Sequence, residues 1–338
     1  MIRWADGGEM WGDSTYASRA YLTATGHGVG TPGRVTPGVR YITMNSGVLK
    51  TPSLGAANTW TIGFGFFCVS VSATDKIRLF AGATEQCRLE LESDGGSGAR
   101  WKLIRGSTTI ATSTSFSLNQ WYYFELKVDV LTAAATYEFR RNELVDFSGS
   151  GANLANSGSN GADAFGFEGT SHRLDDIYIL DDDNTDGAGN TTFRGDSVCF
   201  ETAVTADGHE QDFSRSAGVS NEANVDDLST AASSTDYNYS DNTGDEDYYQ
   251  FEDLPSTGIG TIYALKLSGS LAMAGTGSRT IQYRFYSGSV EYDIGDPVAV
   301  SGTQLVELPV FVAINPDTAS AWTKAALDAG ELGVEVAS

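Results

Sequence analysis

The chain has 338 residues, of which 44 are Asp or Glu and 21 are Lys or Arg, giving a formal charge of −23. Binding to a phosphate backbone works by counterion release from Lys and Arg, so this balance excludes nucleic acid and anionic lipid as partners. A hydrophobic content of 41% excludes global disorder, and the length suits two domains of moderate size.

With 39 glycines, 15 tyrosines and 16 phenylalanines, the composition favours strands and tight turns. The opening stretch Ile2-Arg3-Trp4 is strand-like. It has neither a basic n-region nor an apolar h-region, so the expectation is a chain without a signal peptide, folded in the cytoplasm. No apolar run reaches the length of a membrane helix, and no membrane insertion is expected. Trp11, Tyr16 and Tyr21 follow in a Gly-rich region outside any strand pattern. Gly26-His27-Gly28-Val29-Gly30 resembles a phosphate-cradling loop only in its glycines, because Thr31-Pro32-Gly33 stands where a helix should begin.

Val39 to Met44 alternates as a strand. Trp60-Thr61-Ile62-Gly63-Phe64-Gly65-Phe66-Phe67 puts large apolar residues on one face and small ones on the other. Lys76 to Phe80 and Cys87 to Glu92 alternate apolar with charged, and Asp94-Gly95-Gly96 predicts the hairpin turn to Arg100–Arg105. Asn119 to Val128 is the strongest strand, and Tyr137–Arg140 and Leu144–Phe147 flank the turn Arg141-Asn142-Glu143. Residues 148–163 are almost entirely Gly, Ser, Ala and Asn and read as a surface loop. Leu174-Asp175-Asp176-Ile177-Tyr178-Ile179-Leu180 is apolar on both faces, as in a buried strand, and leads into Asp181-Asp182-Asp183.

A domain boundary is therefore expected after residue 183, within 181–195, giving a first β domain of 1–183 and a second of 184–338. In the second, Asp196 to Glu201 reads as a strand. The acid-rich stretch 221–253 contains no Lys or Arg and reads as loop, apart from a strand at Tyr248–Phe251. Strands resume at Ile262–Leu267, Thr280–Phe285 and Leu305–Phe311. Asp317 is a plausible N-cap for one short helix over 319–329, and Leu332–Val336 closes the chain. The expected fold class is all-β, a sandwich or jelly roll followed by a smaller β-sandwich. Cys68, Cys87 and Cys199 are too few and too widely spaced for a disulfide framework or a zinc site, and Cys68 in Phe66-Phe67-Cys68-Val69 reads as a small buried hydrophobe.

Three features in order resemble the concanavalin-A-like jelly roll of laminin-G and pentraxin type. They are the Trp-led strand Trp121–Val128, the hairpin between Phe139 and Val145, and the closing Asp175-Asp176-Ile177-Tyr178-Ile179. The hairpin carries Asn142-Glu143 where that family usually has Asn-Gly. The whole layout is similar to a group of tailed-phage virion proteins. The resemblance extends from Asp6-Gly7-Gly8-Glu9-Met10 to Pro316-Asp317-Thr318-Ala319-Ser320-Ala321-Trp322-Thr323. It implies a non-enzymatic virion structural protein: a tail or collar fibre, spike or capsid decoration that contacts other virion proteins. It also implies a homo-oligomer, most often a trimer; because 221–253 has no internal cation to neutralise it, that acidic region is expected to face solvent or a cation. The alternative function is a lectin-like module that attaches to a host-surface glycan.

No cofactor is expected other than calcium. Asp182, Asn184 and Asp186, with Gly187 next, hold the first, third, fifth and sixth places of an EF-hand-type loop, although Phe193 stands where a bidentate Glu belongs. Asp175 and Asp176 are further candidate ligands. Glu90 and Glu92 place two carboxylates on one strand face, as glycosidases do, but Arg88 and Lys102 can neutralise them. His27, His172 and His209 fall in unrelated loops, which suggests neither a catalytic triad nor a histidine metal site.

Overall fold

A computed structural model describes residues 1–7, 21, 23–34, 40–72, 75–170, 172–185, 188–189, 191–226, 235–273, 277–302, 306–307 and 309–338. Trp11, Tyr16 and Asp186 lie outside the described residues. The chain forms two compact units: Met1–Thr185 with Gly189–Phe200, and Asp186–Ala188 with Glu201–Ser338. Among the described residues both are β apart from one short helix and one 3-10 turn. No helix among the described residues is long and apolar enough to cross a membrane.

The first unit contains β1 (Ile2–Asp6), β2 (Thr23–Gly30), β3 (Tyr41–Lys50), β4 (Thr59–Cys68), β5 (Lys76–Ala81), β6 (Thr84–Ser93), β7 (Gly98–Arg105) and β8 (Thr108–Thr112). It continues with β9 (Phe116–Ser117), β10 (Trp121–Asp129), β11 (Ala135–Arg141), β12 (Leu144–Ala152), β13 (Ala164–Gly169) and β14 (His172–Asp181). Hydrogen bonds run in the order β12-β11-β10-β4-β14-β3-β13-β5-β6-β7-β8. The path folds at β3, whose residues 42–44 pair with β14 and 47–50 with β13, with Ser46 at a φ of 60° between them. Two layers result, and their large side chains meet. Phe64 and Phe124 from one layer lie 6.2 and 6.1 Å from Trp101 of the other, and Trp60 lies 5.2 Å from Phe165. This is the jelly-roll sandwich that the alternation of large and small residues in β4 foretells.

Asn142 and Glu143 both have positive φ, 48° and 67°, and Arg141 pairs with Leu144. That is the two-residue hairpin whose twist matches the flanking strands, so Glu here adopts what Asn-Gly adopts more cheaply. Cys68 and Cys87 are buried, and desolvation pushes both thiols up to about 12, which makes them inert fillers. Tyr21, which the sequence leaves free, is buried; its hydroxyl donates to Asp6 at 2.8 Å and accepts from the Trp4 indole at 3.3 Å.

In the second unit, Val204–Gln211, Glu246–Phe251, Glu331–Val336, Ser278–Ser287 and Val290–Ser301 form one antiparallel sheet in that order. Short paired strands, Leu265–Leu267 with Val310–Val312, cover its core of Tyr283, Phe285, Ile294 and Trp322. The acidic stretch is less of a solvated loop than its composition implies. Asp247 is fully buried and accepts hydrogen bonds from Asn221, Tyr249 and the Phe213 amide, so neutral donors replace the missing cations.

Several expected elements differ: residues 148–152, read as surface loop, continue the strand Leu144–Ala152, and of Ile262–Leu267 only Leu265–Leu267 is strand. The helix is Lys324–Asp328, capped by the Thr323 hydroxyl, while Asp317 accepts from Ser287 and Tyr292 hydroxyls at 2.9 Å instead. Of Leu305–Phe311, Leu305 and Leu308 lie outside the described residues, Val306–Glu307 and Val310–Val312 are strands, and Pro309 is in none. Asp196–Glu201 forms no strand, because its backbone and side chains are captured by the first unit, as described next.

Candidate functional site

Two polar constellations stand out in the first unit, one covered and one open. The covered one lies on the outer face of the sheet where β4, β10 and β14 run together. On that face β4 presents Thr59, Thr61, Gly63, Gly65 and Phe67. An added Cβ at Gly63 would come within 2.2 Å of the Tyr178 ring, and one at Gly65 within 2.8 Å of Arg34. The small residues therefore make room for a layer of polar groups, and the segment 193–199 straps it down.

In this layer the buried Arg34 guanidinium pairs with Asp176 at 2.8 Å and Asp196 at 2.5 Å, and donates to the Ser197 carbonyl at 2.9 Å. Asp175 accepts the Arg34 amide at 2.7 Å, and Asp176 accepts the Cys199 amide at 2.9 Å. Asp176 sits in a bulge of β14 with a φ of 50°, a conformation that Asp tolerates better than most side chains. Burial pushes the Asp175 carboxyl well above the carboxylate range, and the neighbouring Asp176 charge adds to it. Beside them, one oxygen of the buried Glu125 accepts from the Tyr178 hydroxyl and from the amides of Arg194 at 3.1 Å and Gly195 at 2.9 Å. Asp175 and Asp176, candidate metal ligands from sequence, thus serve Arg34 and the strap.

The expected calcium residues are not gathered by any described contact. Asp182 is exposed, the Asn184 side-chain oxygen accepts the Gly189 amide at 2.6 Å, and Asp186 lies outside the described residues. Their neighbours Asp181 and Asp183 bind Arg3 at 2.5 and 3.0 Å, and Asp181 also binds the terminal amine at 3.1 Å.

The open constellation is a groove of about 650 Å³ at one end of the sandwich, between the β6–β7 hairpin and the loop that follows β9. Asp94, Ser97, Ser117, Asn119, Tyr122 and Arg141 line it. Asp94 shapes the hairpin tip by accepting the Gly96 and Gly98 amides at 2.8 and 3.1 Å. These bonds hold its carboxyl below the ordinary value, so it is ionised at neutral pH. Tyr122 is half-buried, its ring edge-on to Phe116 at 5.2 Å. Arg141 lies 5.9 Å over that ring, tied to the Ser115 carbonyl and the Thr114 hydroxyl. The result is one aromatic ring, one guanidinium, one carboxylate and several hydroxyls and amides on a single concave surface.

None of these groove residues stands out as a motif in sequence. The available signal was the run Trp121-Tyr122-Tyr123-Phe124: consecutive residues face opposite sides of a strand, so not every ring could enter the core. Tyr123 and Phe124 are buried, whereas Trp121 and Tyr122 stay half-exposed. The glycosidase-like pair is neutralised. Glu90 pairs with Arg88 at 2.8 Å and Lys76 at 3.9 Å, and Glu92 pairs with Arg100 at 2.6 Å and with Lys102.

No family model matches the chain, and no curated protein matches its sequence. Among solved structures it is similar in part to a sialidase, at 10% identity over 55% of this chain and 19% of that one, with a TM-score of 0.41. It is also similar to domain 4 of AbnA, a GH43 extracellular arabinanase from Geobacillus stearothermophilus in complex with arabinotriose, at 15% identity over 53% and 91% of the two chains, TM-score 0.36. A third is the Caenorhabditis elegans galectin LEC-6, at 12% identity over 39% and 90%, TM-score 0.30. With TM-scores this low, the site has to be read from its own residues.

Proposed function

We propose that this protein is a non-enzymatic glycan-binding module and that the groove around Tyr122 is its binding surface. The carrying observation is the composition of that groove: a half-buried ring to stack on a sugar face, with Asp94, Asn119 and Arg141 around it to bond hydroxyls. A ligand site typically encloses about 300–1,000 Å³, and this one falls within that range. In most glycosidases, hydrolysis uses two carboxyl groups whose environments push their pKa values apart. The groove offers one, held ionised, which supports binding without turnover. A virion setting rests on the sequence resemblance alone. It fits the proposal physically, because a weak single-sugar site gains avidity when an oligomer displays many copies.

Glycan-array screening followed by calorimetry on the best oligosaccharide tests the reading. Tyr122→Ala and Arg141→Ala should each weaken binding about tenfold, equivalent to about 1.4 kcal/mol. If no glycan is retained, or if both variants bind as the parent does, the groove is not the site. Mass spectrometry of purified particles tests the virion setting separately, since a virion part must be present in many copies.

A further inference from the structure

The second unit carries a cluster that the sequence disperses. Between Asp207, paired with Tyr249, and Gln211, paired with Asp247, the first strand of its sheet has three residues where the partner has one. This bulge throws Gly208-His209-Glu210 over the sheet face. Bulges often serve to re-aim a side chain in this way. The His209 ring lands flat on Tyr286, with centroids 3.6 Å apart and planes 18° apart. A Cβ at Gly208 would come within 2.5 Å of a Glu331 oxygen, so only glycine allows the close approach.

That same Glu331 oxygen accepts both the His209 amide and Nδ1–H at 2.8 Å. Nδ1 is thereby fixed as the donor, and Nε2 is turned toward Glu291 Oε1 at 3.2 Å. Ligand atoms of His209, Glu210 and Glu291 all lie within 4.8 Å of one another on an exposed surface. The remaining Glu291 oxygen is held by Arg284 at 3.2 Å.

We propose that His209, Glu210 and Glu291 bind a divalent transition-metal ion of the zinc class, with Glu331 as the positioning residue for the imidazole. A carboxylate on the far nitrogen of a liganding histidine is the usual second partner at such sites. Two ligands about 2.1 Å from one ion and about 90–110° apart lie about 3.0–3.4 Å from each other, which brackets the Nε2–Oε1 separation. The imidazole selects zinc over calcium, which prefers oxygen alone. Three protein ligands on an exposed surface leave further positions to water or to a partner's side chain.

The test is equilibrium dialysis of the full chain against Zn²⁺ and Ca²⁺, with metal analysis of the retained protein. One equivalent of zinc and no calcium at this site is the expected result. His209→Gln should abolish zinc retention, Glu331→Gln should weaken it at least tenfold, and Asp182→Ala should leave it unchanged. As a readout that needs no variant, Co²⁺ should give a visible absorption band with the parent chain, and Glu291→Gln should alter it. Undiminished zinc in a folded His209→Gln variant, or no cobalt band with the parent chain, overturns the assignment.

Discussion

At Asp175 and Asp176 two buried carboxylates share one arginine, Asp176 taking the Arg34 guanidinium and Asp175 its backbone amide. The groups facing Asp175 are Arg34 with its amide, Asp176, and beyond Arg34 the carboxylate of Asp196, with Tyr123 and Cys199 close to Asp176. Burial and the Asp176 charge outweigh Arg34, so the folded state holds the Asp175 proton more tightly than the unfolded chain does. The group therefore contributes most to stability at or below the ordinary carboxylate value of about 4. That contribution is lost as pH rises through the folded value of about 8. Urea unfolding at pH 5 and pH 8.5 should show the protein less stable at the higher pH, and Asp175→Asn should shrink the difference whatever its own cost. A profile that rises with pH, or one unchanged by Asp175→Asn, would mean that Arg34 dominates. In sequence these residues look like an acidic run before a linker. Their role depends on Arg34, which is 141 residues away from Asp175, and no local pattern announces it.

At the level of elements, the strands were legible because alternation reports directly on a two-sided sheet. Residues 76–80 and 87–92 alternate in sequence and in burial alike. What alternation could not show is why one face of β4 is small, since the covering groups come from residues 34 and 193–199. The same long-range capture explains why Asp196–Glu201, apolar enough to read as a strand, is none: its Asp196 and Cys199 amides go to Glu143 and Asp176, and the Arg194 and Gly195 amides just before it go to Glu125. The Glu125 bonds should therefore hold the strap in place, and Cys199 reports on it. Cys199 is half-buried at the strap's end, whereas Cys68 and Cys87 are buried with thiols pushed up to about 12. Glu125→Ala should speed alkylation of Cys199 several-fold while leaving the near-UV spectrum and the other two thiols unchanged. If the rate is unaltered, the strap is held by Arg34 without help from Glu125.

For the molecule as a whole, composition puts the boundary after residue 183, whereas Gly189–Phe200 group with the first unit. A cut after Asp183, where composition shifts, would remove Asp196 and Ser197 from Arg34, the Cys199 amide from Asp176, and two amides from Glu125. It would also remove Phe193, whose ring carries the Arg140 guanidinium at 3.9 Å. Each lost partner of a polar group that stays buried costs about 1–3 kcal/mol, offset where water can enter. A net loss of about 2–3 kcal/mol corresponds to a fall in Tm of about 4–12 °C for a unit of this size. The chain ending at Phe200 should thus melt cooperatively and keep the glycan affinity of the full protein, because every groove residue lies between Asp94 and Arg141. The chain ending at Asp183 should melt several degrees lower with the groove still intact. Equal melting temperatures for the two would show that residues 184–200 act only as a tether, and that the Arg34 and Glu125 layer is stable open to water.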